Sequence, residues 1–389
     1  MTVQLQWPIL GVIIPCIIIA TLAYGSHYFI LRHHLSYREQ IIYEFYATMI
    51  WISYAFAIFT NPGTPPKNYK PTPHEWTRFC KKCNNYKPPR THHCKTCNQC
   101  VLGMDHHCPW TLNCVGHGNL PHFMRFLAWV IWGTGYLFVQ LCKRIMQYYE
   151  ESNLPGYLFD KWELTAVIAL TPLDFFVFAS ISVLFIRCLI NICKGMTQIE
   201  IWEWERLETQ WYSERLWTMI RNNYEKLHNK KFPKLTTWTR SYHSEEEQQE
   251  EEGEEMIHLT TNEESVIPKN FTMDDLIFPY DLGFWKNLTN ALGYPYVWLI
   301  PFAGPGTNGY SPEISKEYQE DDQLNLPWPP DGVRQQEITV TRDNDEELRN
   351  IKNYRELRKR LDPRINDKRE NFVNDMGERL VDFGVDESD

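Results

Sequence analysis

Long uncharged stretches alternate with polar segments in the first half of the chain. Residues 7–30 form an apolar run without a charged residue, longer than the roughly 20 residues that a helix needs to cross a bilayer. Further apolar stretches cover residues 45–60, 126–142 and 164–193. A secretory signal is the alternative for the first run, but no Lys or Arg precedes the run and it is too long. The pattern therefore predicts four membrane-spanning helices.

Two charged residues, Asp174 and Arg187, interrupt the fourth stretch. The segment Thr171-Pro172-Leu173-Asp174 has the form of a helix start, with a hydroxyl cap, a proline in the first turn and an acid at the third position. Arg187 lies near the other end, from where its long side chain can reach the membrane interface. We therefore expect structural roles for both charges, because an ion path would need partner charges.

Charge is distributed unevenly along the chain. Residues 1–193 hold 15 Lys and Arg against 9 Asp and Glu, a net charge of +6, whereas residues 194–389 hold 24 against 40, a net charge of −16. Residues 61–119 alone carry eight basic residues and two acidic ones. Because loops rich in Lys and Arg remain in the cytosol, we expect this segment and both termini to be cytosolic. A nucleic-acid binder is disfavoured, since the basic excess lies between apolar segments.

These patterns predict an α-helical integral membrane protein with five regions. Residues 1–60 would hold membrane helices 1 and 2, residues 61–120 a cytosolic Cys-rich domain, and residues 121–193 membrane helices 3 and 4. Residues 194–306 would form a cytosolic juxtamembrane helix on the membrane surface, an acidic linker (SEEEQQEEEGEE) and an aromatic motif. Residues 307–389 are expected to be a polar, flexible tail.

Cysteine and histidine are concentrated in the Cys-rich domain. Residues 80–114 hold seven of the 11 cysteines and four histidines, and two cysteines separated by two residues occur three times. Two thiolates at this spacing can ligate one tetrahedral ion, and the reducing cytosol disfavours disulfides. Redox-inert zinc is the expected ion. The candidate ligands are Cys80, Cys83, His92, His93, Cys94, Cys97, Cys100, His106, His107, Cys108 and Cys114.

Counting ligands leaves one thiol over. Two tetrahedral sites with three cysteines and one histidine each would use six of the seven cysteines. Cys108 is a candidate for the free thiol, because it follows Asp105-His106-His107. A histidine two residues away can serve as base for a thiol, and an acid can hold the other imidazole nitrogen. On spacing alone, a structural Cys108 with another cysteine free is equally acceptable.

The sequence Asp105-His106-His107-Cys108, within a Cys-rich segment between the second and third of four spans, resembles the DHHC family of protein S-acyltransferases. The resemblance covers residues 80–123 nearly position for position. Residues 197–200 are similar to the family's Thr-Thr-x-Glu motif, with Gln198 in place of the second Thr, and residues 280–293 to its C-terminal aromatic motif. Among subfamilies, the order of elements and the long acidic tail are most similar to the fungal endoplasmic-reticulum member that acylates chitin synthase.

The resemblance implies transfer of a palmitoyl group from acyl-CoA to cysteines of membrane-associated proteins, chitin synthase among them, at the endoplasmic reticulum. Cys108 would be the acylated nucleophile, His106 its base and Asp105 the residue that orients His106. The resemblance also implies two interleaved zinc sites. One would use Cys80, Cys83, His93 and Cys100, and the other Cys94, Cys97, His107 and Cys114.

Further expectations concern the donor of the acyl group. Arg78, Lys87 and Arg90 flank the cysteine pairs and are expected to meet the CoA phosphates, although each is also an ordinary charge of a cytosolic loop. Where the family's third span has a residue that sets chain length, ungapped alignment places Gly133. A glycine there implies a deep cavity and tolerance for long chains, but glycine also serves helix packing in membranes.

A non-catalytic, membrane-anchored zinc module for protein interactions is the competing hypothesis. It predicts that replacing Cys108 by Ser leaves function intact, whereas replacing Cys97 by Ser destroys it. The transferase hypothesis predicts that both replacements abolish function, the one at Cys108 without loss of zinc. A transporter is disfavoured, because its site would need paired polar residues within the membrane.

Overall fold

The computed structural model describes residues 8–72, 75–233, 235, 266–268, 271–332 and 354–386. Within these residues, four helices are long and apolar enough to cross a membrane. This confirms the four apolar helices predicted from the hydrophobic pattern. They are α1 (Leu10–His34), α2 (Tyr37–Phe59), α3 (Leu120–Glu150) and α4 (Lys161–Cys193).

The helices extend beyond the apolar stretches that predicted them, because local capping sets their ends. α2 begins at Tyr37, where Ser36 and Glu39 form a capping box. α4 begins after Asp160, whose carboxylate accepts a hydrogen bond from the backbone of the first turn. The predicted helix start at residues 171–174 is therefore wrong, since α4 continues through this segment and its proline.

Three two-stranded antiparallel hairpins form the Cys-rich module between α2 and α3. Each strand has only two or three residues, too few to bury a core of its own. The module therefore depends on contacts between hairpins and on the helices beside it. Its hairpins are β1 (Phe79–Cys80) with β2 (Asn85–Tyr86), β3 (His92–Cys94) with β4 (Gln99–Val101), and β5 (His106–Cys108) with β6 (Asn113–Val115).

The segment after α4 does not form the single membrane-surface helix expected from its sequence. It folds as α5 (Gln198–Gln210) and α6 (Glu214–His228), and its apolar side chains are buried by protein. Leu207 and Ile220 have no exposed surface, and Trp217 has 1%. The physical reason is that distant segments of the chain supply a cover that local periodicity does not reveal. The cover consists of Leu235, Phe271, Leu276, Leu324 and Leu326.

The C-terminal part also departs from the expected flexible tail. Residues 354–386 pack against α5 and the β3–β4 hairpin, and Phe372 and Val385 are completely buried. Scattered apolar residues within a highly charged sequence conceal this packing from a composition argument. The predicted acidic linker, residues 244–255, lies outside the described residues. The other α-helices within the described residues are α7 (Phe284–Leu292), which contacts α3 and α4, α8 (Lys316–Asp321) and α9 (Tyr354–Arg360).

Candidate active site and metal clusters

Eight of the predicted ligands converge in two clusters of four, each with three cysteines and one histidine. The donor atoms of each cluster all lie within 4.8 Å of one another. The partition is the same as the one implied by the family resemblance. The first cluster contains Cys80, Cys83, His93 and Cys100, and the second contains Cys94, Cys97, His107 and Cys114.

The distances within both clusters fit a tetrahedral ion. In the first, His93 Nδ1 lies 3.4, 3.3 and 3.7 Å from the three sulfur atoms. In the second, His107 Nδ1 lies 3.7, 3.3 and 3.7 Å from its three sulfur atoms. Zinc with Zn–S of about 2.3 Å and Zn–N of about 2.0–2.1 Å requires N···S separations of about 3.6 Å. The two clusters could therefore hold metal ions, and their donor sets suit zinc.

The clusters interlock the hairpins rather than closing each hairpin on itself. His93 lies opposite Cys100 in the β3–β4 pair, and both belong to the first cluster. The next residue of β3, Cys94, belongs to the second cluster together with His107 of β5. Two adjacent residues of one strand thus serve different clusters, so metal bound in both would hold the three hairpins together.

Cys108 belongs to neither cluster. It ends β5 and is 5% exposed, in an apolar group formed by the adjoining ends of α3 and α4. Its neighbours there include Phe123, Met124, Leu127 and Ile192. The ligand count from sequence left open which cysteine is free, and among the described residues the geometry favours Cys108.

Asp105 and His106 form a hydrogen-bonded chain that ends at Cys108. Asp105 Oδ2 lies 2.7 Å from His106 Nδ1, and the backbone N–H of Gln198 donates to Asp105 Oδ1 over 2.8 Å. The His106 side chain also shares a hydrogen bond with the Cys108 thiol. Asp105 therefore fixes the imidazole orientation, which leaves the other ring nitrogen for Cys108.

Opposite pKa shifts favour a thiolate next to an imidazolium. Burial disfavours charge on His106, but hydrogen bonds to Asp105 and Cys108 outweigh burial and raise the His106 pKa. Burial would raise the pKa of Cys108, yet the hydrogen bond and the charge of His106 outweigh it and lower that pKa. Thr111 also lowers the Cys108 pKa, and its hydroxyl donates a hydrogen bond to the Cys108 carbonyl over 3.4 Å. A thiolate is the nucleophilic form of cysteine, so the arrangement suits covalent catalysis.

Known proteins resemble the chain over its full length. The DHHC palmitoyltransferase family model matches residues 74–205. Palmitoyltransferase PFA4 of Candida albicans is 63% identical, covering 100% of this chain and 99% of that protein. Palmitoyltransferase PFA4 of Saccharomyces cerevisiae is 44% identical over 99% of both chains, and Palmitoyltransferase pfa4 of Emericella nidulans is 30% identical over 96% of this chain and 90% of that protein.

This chain belongs to the DHHC palmitoyltransferase family. It is a protein S-palmitoyltransferase, as the sequence motif predicted. The hypothesis of a non-catalytic zinc module loses its basis, because the high identity extends over the whole length of palmitoyltransferases.

The palmitoyltransferase holds its reactive hairpin with two residues that sequence reasoning did not single out as functional. Tyr54 of α2 donates a hydrogen bond to the Trp110 carbonyl over 2.7 Å, two residues after Cys108. Asn113 Nδ2 donates to the carbonyls of Ile58 and Thr60 at the end of α2, over 3.0 and 2.9 Å. These bonds tie the β5–β6 turn to a membrane helix. No spacing rule relates α2 to this turn, so the sequence held no signal for Tyr54.

The substitution of Gln198 for the family's second Thr is accommodated without loss of the contact to Asp105. The backbone N–H of Gln198, rather than its side chain, binds Asp105. The side-chain oxygen of Gln198 accepts a hydrogen bond from Asn191 Nδ2 over 3.0 Å. Thr197 and Glu200 form a capping box that sets the direction of the first turn of α5.

The three basic residues expected at CoA have partners within the palmitoyltransferase. Arg90 Nε and Nη2 donate to the Glu200 carboxylate over 2.7 and 2.5 Å, and its guanidinium lies 4.8 Å from the centre of the Tyr280 ring. Arg78 donates to the Pro88 carbonyl over 3.1 Å, and Lys87 is 6% exposed. These contacts give all three a role in holding the module, so contact with CoA stays a prediction.

Gly133 lies where α3 meets α2, and it lines an apolar cavity of about 40 Å³ within the helix bundle. A Cβ at this position would lie 2.8 Å from Ile50 Cδ1. Both interpretations of the glycine, close helix packing and access to an acyl cavity, therefore have a structural basis. The volume is near that of one water molecule, roughly 30 Å³, so an acyl chain could enter only if the cavity walls move.

Proposed function

We propose that this palmitoyltransferase acts through an acyl intermediate on Cys108, with His106 as base and Asp105 as the residue that orients His106. The observation that supports this is the hydrogen-bonded series Asp105–His106–Cys108 beside an apolar group of α3 and α4, outside both metal clusters. A long-chain acyl-CoA would be the donor and a cysteine of a membrane-associated protein the acceptor.

The transfer would proceed in two thioester exchanges. In the first, the Cys108 thiolate attacks the acyl-CoA thioester carbon, and the CoA sulfur leaves and takes the proton of the His106 imidazolium. In the second, the acceptor thiol gives its proton to His106 and attacks the acyl-Cys108 carbonyl, which restores the Cys108 thiolate. The bonds broken and formed are of one kind, so positioning matters more than driving force.

The two clusters are proposed to hold structural zinc. Metal would supply folding free energy to hairpins that have no core of their own. The reaction itself relies on side chains of the chain, because the cluster residues are ligands and Cys108 is not among them. Metal removal is therefore expected to disorder the Asp105–His106–Cys108 series by releasing the neighbouring His107 from its cluster.

We further propose that the Cys-rich module and both termini face the cytosol, and that the enzyme resides in the endoplasmic reticulum with chitin synthase as a substrate. The orientation rests on the eight basic residues of segment 61–119. The location and substrate rest on the subfamily resemblance. A glycosylation acceptor inserted in residues 151–160, between α3 and α4, should then be modified, whereas one in segment 61–119 should not.

Gly133 is proposed to permit long acyl chains. Gly133→Val should lower the use of palmitoyl-CoA relative to a shorter acyl-CoA by about tenfold, since a buried branched side chain occupies several methylene volumes. Gly135→Val is the matched control on the same helix, because Gly135 faces Phe178 instead of the cavity. If Gly133→Val uses palmitoyl-CoA and the shorter acyl-CoA equally poorly, the role of Gly133 is helix packing.

A raised KM for palmitoyl-CoA in Arg78→Gln would support the proposed contact with CoA.

The central experiment labels purified wild type and Cys108→Ser with clickable palmitoyl-CoA and measures zinc in both. We expect hydroxylamine-sensitive label on wild type alone, with about two zinc ions per chain in both proteins. A chase with a cysteine-containing substrate peptide should then remove the label from wild type. Equal labelling of the two proteins, or loss of zinc from Cys108→Ser, would assign Cys108 a structural role.

A further inference from the structure

The segment of residues 362–386, here named the C-terminal clasp, closes over the second metal cluster. Phe372, Leu380, Phe383 and Val385 of the clasp are between 0% and 7% exposed. They share one apolar cluster with Cys94 and Cys114, two ligands of the second cluster, and with Val101, Met104, Ile199 and Trp202. The clasp therefore replaces solvent on this side of the metal module.

Backbone hydrogen bonds attach the clasp to strand β3. The N–H of Lys95 donates to the Gly384 carbonyl over 3.0 Å, and the N–H of Asp386 donates to the His93 carbonyl over 3.0 Å. Cys94 pairs with Val385 as an antiparallel bridge. The Asp386 carboxylate also forms an ion pair with Lys82, in the turn between Cys80 and Cys83 of the first cluster.

Gly384 brings the clasp backbone directly onto the second cluster. Its φ is +82°, and a Cβ there would lie 2.5 Å from His107 Cβ and 3.6 Å from Cys94 Sγ. The 2.5 Å approach to His107 Cβ leaves no room for a side chain unless that residue is displaced, whereas 3.6 Å from Cys94 Sγ is an ordinary van der Waals contact. Gly377 also belongs to the clasp and has a φ of +78°, but no atom lies within 4 Å of its Cβ position. The two glycines thus share a positive φ and differ in what a side chain at each position would contact.

The opposite side of the clasp is bound to helices α5 and α4. Trp202 Nε1 donates to the Glu378 carbonyl over 3.0 Å, and Arg369 Nε donates to Glu203 over 2.7 Å. The Glu378 carboxylate pairs with Arg187 of α4 over 3.2 Å. α5 is the helix whose first residue holds Asp105 through its backbone N–H. The clasp therefore connects the second cluster to the helix that holds Asp105.

We propose that the C-terminal clasp is a positioning element, which retains the metal of the second cluster and keeps that cluster in register with α5. It rests on the proposed zinc occupancy but not on the proposed role of Cys108. A ligand set covered by packed backbone is released from its ion only after the cover opens, so metal exchange is slow while the clasp is closed. The first cluster has an exposed ligand, Cys83, and lacks such protection on that side.

Zinc release from the full chain tests the proposal without reference to catalysis. Gly384→Ala and Gly377→Ala are made in the Cys108→Ser background, and release to a colorimetric chelator is followed over time. We expect Gly384→Ala to speed the release of one of the two ions by about tenfold or more, because contacts that hold ligands change metal affinity by about that factor. Gly377→Ala should match the parent, although it carries the same backbone strain.

Two results would overturn the proposal. One is equal release from Gly384→Ala and Gly377→Ala, and the other is equal acceleration of both ions, which indicates general unfolding. If Gly384→Ala does not fold, Phe372→Leu takes its place, because it loosens the edge-to-face contact with Trp202 at a ring distance of 5.5 Å. In the chain with Cys108 intact, Gly384→Ala should lower kcat for palmitoyl transfer with little change in the KM for palmitoyl-CoA.

Discussion

The hairpins β3–β4 and β5–β6 begin with the same tripeptide, His-His-Cys, but its first and last residues have different surroundings in the two hairpins. In both, the middle histidine lies opposite a cysteine and joins it in a metal cluster, as His93 with Cys100 and His107 with Cys114. This much follows from the strand pairing alone. The residues on either side of the middle histidine are of the same type in both hairpins but contact different groups, so surroundings rather than residue type decide their chemistry.

The first histidine of each tripeptide meets charges of opposite sign. His92 is buried, and burial together with the nearby Arg78, Arg369 and Lys87 holds its pKa well below the ordinary value. His106 is hydrogen bonded to Asp105, and its pKa is raised. The residue before the tripeptide, Thr91 in one hairpin and an aspartate in the other, is the decisive difference.

The cysteine that ends each tripeptide also lies in a different environment in each hairpin. Cys94 is followed after two residues by Cys97, and both belong to the second cluster. Cys108 is followed by Pro109 and a turn that Tyr54 binds, and it lies among apolar residues of α3 and α4. A second cysteine three positions along the chain suits one thiol to metal binding, whereas a histidine and an apolar surrounding suit the other to the nucleophilic role proposed for it.

Replacing Cys94 or Cys108 by serine should show the difference between the two hairpins most clearly. Cys94→Ser is expected to lose metal and acyl-enzyme together, because a ligand and the scaffold are removed at once. Cys108→Ser should lose only the acyl-enzyme, with metal content unchanged. Metal analysis and palmitoyl labelling of both variants measure this, and retention of metal by Cys94→Ser would remove it from the ligand set.

Removing the charge of Asp105 should make the β5–β6 hairpin resemble its neighbour. In Asp105→Asn the pKa of His106 falls and that of Cys108 rises, so acyl-enzyme formation at neutral pH should slow by about 100-fold. The rate profile should shift to higher pH, because the thiolate then needs a more alkaline solution. The rate of acyl-enzyme formation, measured at a series of pH values by quenching the palmitoylation reaction at fixed times, tests this prediction. Thr91→Val is the control, and an unshifted profile in Asp105→Asn would contradict the assigned role.

The hydrogen bond from Tyr54 should contribute a smaller part of the difference. Tyr54→Phe keeps the ring stacked on Phe126, at a centroid distance of 4.8 Å, but loses the bond to the Trp110 carbonyl. We expect acyl-enzyme formation to slow by about fivefold, which corresponds to about 1 kcal/mol for one hydrogen bond. The KM for palmitoyl-CoA should stay the same. Tyr37→Phe, at the exposed start of α2, is the control, and equal rates for both would exclude this positioning role.

The smallest catalytic effect is expected at His92. His92→Gln should leave acyl-enzyme formation unchanged within about twofold, because burial and nearby cations hold the pKa of this histidine low and it lies outside the reactive group. Thermal unfolding should reveal a loss of about 1–3 kcal/mol, the usual consequence of altering a buried polar group. A large catalytic defect with unchanged stability would show that the two histidines are functionally linked.

Short-range patterns predicted much of the fold and site. The four apolar helices follow from hydropathy, and the cluster membership follows the family motif, residue for residue. Helix ends were less predictable, because caps such as Ser36 set them rather than hydropathy. The pattern of residues 199–227 predicts one helix on the membrane surface instead of the two protein-covered helices, since an amphipathic pattern records an apolar face but not the partner that covers it.

The sequence by itself determined the family of the protein, its four apolar helices, the membership of its two candidate metal clusters and its palmitoyltransferase activity, because each depends on residues that are near neighbours in the chain. Only the tertiary structure decided that Asp105 is held by the backbone of α5, that Tyr54 binds the turn after Cys108, and that the C-terminal clasp covers the second cluster. These contacts join residues far apart in sequence. Their partners are chosen by packing and by the pairing of buried polar groups, neither of which leaves a local periodicity to read.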